Sequence, residues 1–235
     1  MINSFLLIGQ SNMAGRGRLD DVEPITNNDV FMFRENDWII AKEPIHTDKP
    51  ELAGIGLGMS FADELQKESQ KCIGLVPCAV GGTSLDEWRK GGELYTNAVN
   101  TIRKALEKSK LKGILWHQGE ADSGTMENAN SYKERFVEMI SSLKNDIDCS
   151  DVPVIVGGLG DFLELLDNKC NHWPVINKAL NQLCIEDSTF VFVNSEQLTH
   201  NGDTLHFNSQ SLREFGLRYG QAWKKYSAKY NLNLE

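Results

Sequence analysis

Apolar runs rich in β-branched residues recur along the chain at Phe5 to Ile8, Ile73 to Val80, Ile114 to His117, Val152 to Val156 and Phe190 to Val193. Each has the length and content of a buried strand. Between them apolar residues take helical spacing over 57–69, 94–109, 128–145 and 173–185, with a last such stretch near 208–228. Alternation of strand and helix predicts an α/β fold: a parallel sheet with helices on both faces, a three-layer α/β/α sandwich. Pro77 lies inside the second run and has no N–H for a ladder, so that strand is expected at a sheet edge or with its regular part starting later. The segment from Leu19 to Pro50 carries turn residues and two short extended pieces, Phe31 to Phe33 and Trp38 to Ile40, and reads as an insertion beside the sheet. With no repeat and no linker, residues 1–235 are expected to form a single domain.

Composition narrows the partners. Lys and Arg total 24 against 33 Asp and Glu, a net charge of −9, which opposes binding to a phosphate backbone. Hydrophobic residues at 40% and charged residues at 24% are ordinary for a chain with a packed core. No run approaches the ~18 apolar residues of a membrane span, and Phe5 to Gly9 is too short and lacks the basic start of a secretory signal. The expectation is a cytoplasmic protein with no nucleic-acid or membrane partner. Five cysteines, Cys72, Cys78, Cys149, Cys170 and Cys184, without a C-x-x-C pair fit reduced thiols rather than a disulfide framework or thiolate metal site.

Ligands of open parallel sheets bind at the carboxyl ends of the strands, and four loops there hold unusual residues. After the first strand comes Gly9-Gln10-Ser11-Asn12-Met13. Ser11 is at a predicted helix start, either as a cap or as a nucleophile; Met13 rules out the G-x-S-x-G elbow. Gly81-Gly82 after the second strand would let backbone N–H groups face a bound oxygen. No lysine follows as in a phosphate loop, and Gly54 to Gly58 reads as a turn into a helix. The third strand ends in Trp116-His117-Gln118-Gly119-Glu120-Ala121-Asp122. Gln118 can donate to an oxyanion, and Glu120 is either a solvated loop carboxylate or a functional acceptor. Before the last helix, Asp203 and His206 are three apart, which lets the carboxylate take the imidazole Nδ1–H and leaves Nε2 for a serine. A rival use of the same loop is a metal held by His200, Asp203 and His206.

Taken in order, G-Q-S-N-M at 9–13, the glycine pair at 81–82, W-H-Q-G-E-A-D at 116–122 and D-x-x-H-F at 203–207 resemble the SGNH hydrolase superfamily, in its carbohydrate esterase branch of sialate O-acetylesterases and acetylxylan esterases. The resemblance implies a flavodoxin-like fold with five parallel strands. It implies Ser11 as nucleophile, His206 as base and Asp203 as its orienting carboxylate. The Ser11 and Gly82 N–H groups and the Gln118 side chain would form the oxyanion hole. Glu120 would assist the histidine or hold substrate. The implied activity is hydrolysis of acetyl esters on carbohydrate hydroxyls through an acyl-enzyme, with no cofactor and with an acetylated carbohydrate as partner. A histidine base, titrating near ~6.5 as a residue type, would make activity fall on the acid side. Trp38, Trp88 and Trp116 are candidate sugar platforms, and Arg89 a candidate for a sugar carboxylate. A binding protein on the same fold without turnover is the alternative.

Overall fold

A computed structural model describes residues 1–166 and 169–235. One sheet holds seven strands, in chain order β1 (Ile2–Gly9), β2 (Val30–Arg34), β3 (Asp37–Ile40), β4 (Ile73–Pro77), β5 (Ser109–His117), β6 (Val154–Gly157) and β7 (Phe190–Val193). Their spatial order is β3-β2-β4-β1-β5-β6-β7, parallel throughout except for β3, which runs antiparallel to β2. The helices are α1 (Ser11–Ala14), α2 (Leu57–Ser69), α3 (Glu93–Leu106), α4 (Met126–Asp146), α5 (Trp173–Glu186) and α6 (Ser209–Tyr230). α2 packs on α6, while α4 packs on both α3 and α5. Among the described residues, no helix is long and apolar enough to cross a membrane.

The three-layer α/β class agrees with the alternation in the sequence, but the strand count does not. Five parallel strands become seven because the segment expected beside the sheet enters it: β2 pairs with β4 from Val30↔Ile73 to Met32↔Leu75, and β3 closes that edge as a hairpin. Pro77 is also placed differently from both expectations. β4 is an interior strand that starts at Ile73, and Pro77 is its last residue. Cys78 donates its N–H to the Leu7 carbonyl at 2.9 Å, so by alternation Pro77 faces the β2 side, beyond the last β2 pair. No ladder bond is lost there.

Central strands are continuous apolar runs because helices cover both faces; Phe5, Leu6, Leu7 and Ile8 are all fully buried. β1 lies between β4 and β5, where the order of strands reverses direction, and the crevice at such a switch point collects the loops that follow the strands. Local chemistry fixes where the flanking helices begin. Asn208 accepts the Ser211 N–H at 2.8 Å and so starts α6 directly after the loop that carries His206.

Candidate active site

Three loops meet at the carboxyl end of β1. Gln10 donates its N–H to the His117 carbonyl at 2.9 Å, and Val80 donates to the Gly9 carbonyl at 3.1 Å, so the ends of β4, β1 and β5 are tied side by side. Gly9 makes this possible. Its φ is +128°, and a Cβ there would lie 2.1 Å from the His117 carbonyl oxygen. The chain turns at once into α1, leaving Ser11 at its first position.

The loop before α6 brings the other half. His206 Nε2 lies 2.9 Å from Ser11 Oγ, and its Nδ1 lies 2.6 Å from Asp203 Oδ2. The second oxygen of Asp203 accepts the backbone N–H groups of Leu205 and His206 at 2.9 and 2.8 Å. One carboxylate therefore holds both the ring and the backbone of the same histidine, the geometry that D-x-x-H spacing foretold. Burial pushes the Asp203 carboxyl up, but the His206 N–H, its imidazole and the Leu205 N–H outweigh this and hold it below the ordinary carboxylate range.

Gly82 takes φ +78° on the neighbouring loop. Among the described residues, neither its N–H nor that of Ser11 is given to a protein acceptor. A buried pair supports this loop from below: Asp48 accepts the Gly81 N–H at 2.8 Å and pairs with Arg16 at 2.6 Å. Burial raises the Asp48 carboxyl, yet Arg16 and the Gly81 N–H bring it below the usual range.

Several expected ligand-facing groups serve the scaffold instead. Gln118 is fully buried and spends both amide protons on the Thr83 carbonyl (3.1 Å) and Asp122 Oδ2 (2.6 Å), while its oxygen accepts from Tyr132 at 2.9 Å. Asp122 also accepts the Leu85 N–H and pairs with Arg135. Gln118 thus ties the third loop to the second and has no proton left for an oxyanion. Trp88 is 1% exposed, donates to Thr83 Oγ1 and stacks edge-on with Trp116, so neither ring offers a face to a sugar. Trp38, on the edge strand β3, donates to the Ala105 carbonyl in the last turn of α3 and packs by Gly74 near the start of β4, at the opposite end of the strands from Ser11. Arg89 is exposed and donates to the Asp86 carbonyl. Glu120 is buried rather than solvated, with Asn12 Nδ2 at 2.5 Å and His117 Nε2 at 3.4 Å. Burial raises its carboxyl, but His117 and Asn12 hold it below the ordinary range.

The metal-holding alternative also meets a different geometry. His200 Nδ1 accepts the N–H groups of Gly202 and Thr204 in its own loop, and no three His, Cys, Asp or Glu side chains converge among the described residues. Asn12 and Asp48 are the residues sequence reasoning missed. Their partners are remote in the chain, and no spacing signals them.

Known proteins bear on this arrangement. The profile of a family described as carbohydrate esterase, sialic acid-specific acetylesterase, matches residues 1–225. The chain belongs to this carbohydrate esterase family. A probable carbohydrate esterase of Arabidopsis thaliana is 30% identical over 240 residues, covering 93% of this chain and 89% of that protein. A solved structure of an Arabidopsis thaliana protein superposes with a TM-score of 0.86 at 29% identity, over 95% of this chain and 98% of that one. NanS, at 19% identity, shares the fold with a TM-score of 0.80, over 97% and 98% of the two chains. This esterase is accordingly an ester hydrolase, on an α/β fold that it shares with NanS.

Proposed function

We propose that the esterase removes acetyl groups from carbohydrate hydroxyls by a serine mechanism with an acyl-enzyme intermediate. The observation that carries the reading is the unbroken relay from Ser11 Oγ to His206 Nε2 (2.9 Å) and from His206 Nδ1 to Asp203 (2.6 Å). Ser11 gives its proton to His206 as its oxygen attacks the acetyl carbonyl. The N–H groups of Ser11 and Gly82 receive the tetrahedral oxyanion. The imidazolium then protonates the departing sugar oxygen, leaving acetyl-Ser11. Water, deprotonated by the same imidazole, releases acetate. Asp203 stays ionised throughout and fixes which ring nitrogen carries the proton. The family description supports an acetylated carbohydrate as substrate.

Hydrolysis of p-nitrophenyl acetate and of a panel of acetylated sugars by wild type and Ser11→Ala tests this reading. Turnover by the first and not the second is the expected result. Sugar binding without ester cleavage by the wild type would replace it with the binding-protein alternative, against which the intact relay argues.

A further inference from the structure

Asn12 follows Ser11 directly and is almost wholly buried. Its Nδ2 donates to the Leu205 carbonyl at 3.2 Å, and its Oδ1 accepts the Phe207 N–H at 3.1 Å. Those groups belong to the two peptide units on either side of the His206 Cα. A single side chain therefore grips both peptide planes that set the direction of the imidazole. Asp203 grips the same loop from its more exposed side, through the Leu205 and His206 N–H groups. Since Ser11 and Asn12 are neighbours, the nucleophile and the anchor of its base differ by one residue, and the gap between Ser11 Oγ and His206 Nε2 is set by one dipeptide.

Such a grip works in only one amide orientation. The second Nδ2 proton goes to Glu120 Oε1 at 2.5 Å. A flipped amide would bring its oxygen against that carboxylate and its N–H against the Phe207 N–H. Glu120 is 2% exposed, its Oε2 has no hydrogen-bond partner among the described residues, and its Oε1 also lies 3.4 Å from His117 Nε2. Burying a carboxylate this way is costly for mere filling of space. It makes sense as an acceptor-only contact that dictates which end of Asn12 faces which strand of the loop.

We propose that Asn12 is the positioning residue for His206 and that Glu120 is the group that locks its amide. The inference rests on the reading of Ser11, His206 and Asp203 as the proton relay. Asn12→Ser removes all three bonds without adding charge. With p-nitrophenyl acetate it is expected to lower kcat by about 10–100-fold, the scale of a displacement near 1 Å. KM should stay within about threefold, because acylation and deacylation both pass through the same imidazole. Asn12→Asp sets a second carboxylate against Glu120 and should fall at least as far. Adding Glu120→Gln to it supplies a carboxamide N–H for the new acceptor at position 12 and should recover about tenfold or more, a rescue that packing alone would not produce.

Unchanged kcat in folded Asn12→Ser, a kcat loss that only matches the loss of folded protein, or no rescue by the paired substitution would each overturn the proposal. Should Asn12→Asp not fold, kcat and the melting curve of Asn12→Ser decide alone. Ester turnover retained by Ser11→Ala would overturn the reading of Ser11 as the nucleophile of the relay and this one with it; unchanged turnover in Asn12→Ser overturns this one only.

Discussion

His46 offers a quantitative test of how the loops under the site are held. Its side chain is buried beside Asp48, Arg16 and Arg34, and its Nε2 has no hydrogen-bond partner among the described residues. Burial moves its pKa from 6.5 down to about 4; Asp48 and the Leu7 carbonyl pull upward, and the two arginines push further down. The native state therefore keeps a neutral imidazole across a range in which the unfolded chain binds a proton. Stability is full above pH ~6.5 and is lost as pH falls toward about 4. At about 1.4 kcal/mol per pH unit the gap is worth about 3 kcal/mol in total, of which about 2.5 is spent by pH ~4.5. The consequence reaches the site, since Asp48 holds the Gly81 N–H next to Gly82. The measurement is urea unfolding of wild type and His46→Gln near pH 7.5 and near pH 4.5, the variant removing the titration while keeping a donor. Other carboxylates weaken both proteins in acid, so the diagnostic quantity is the difference of the two differences. Wild type should lose about 2.5 kcal/mol more than the variant. Equal losses would show that this imidazole is not kept neutral by its burial, and the argument would fail.

Asp203→Asn keeps the size of the side chain but not its charge, and the expected result is a fall in kcat of up to about 10⁴ with the melting temperature little changed, read by steady-state kinetics and calorimetry. Gln118→Ala strands the Thr83 carbonyl, Asp122 and Tyr132, so it should cost about 2–4 kcal/mol in urea unfolding; a stable protein with crippled turnover would instead restore Gln118 to the oxyanion hole. Gly9→Ala forces a Cβ against the His117 carbonyl at positive φ and should cost about 3 kcal/mol or more, measured the same way. Dialysis against a chelator should leave ester turnover intact, because His200 Nδ1 is committed to its own loop; loss of activity restored by added metal would revive the alternative built on His200.

What could be read from the chain divides along the range of the interactions involved. β1 and β4 to β7 announce themselves because strands covered on both faces must be apolar without interruption. β2 and β3 show as short extended pieces but not as members of the sheet, because they form a hairpin at its edge where Ile39 and Ile40 remain 42% and 54% exposed and alternation has little meaning. In the same way Asp203 and His206 lie one turn apart, so their bond is written in local spacing, and the four motif blocks identify Ser11. Gln118 and Glu120 show their functional groups in the sequence but not their use, which distant segments decide: Thr83 is 35 residues from Gln118, and Asn12 is 108 residues from Glu120. Residues that would carry the chemistry are conspicuous because reactions demand particular functional groups. Residues that hold them in place are not, because any amide or carboxylate looks alike until the fold decides what stands opposite it. The grip of Asn12 on the loop around His206 spans 193 and 195 residues of chain. The precision of the relay is therefore a property of tertiary structure, and substitutions that spare Ser11, Asp203 and His206 can still disarm the site.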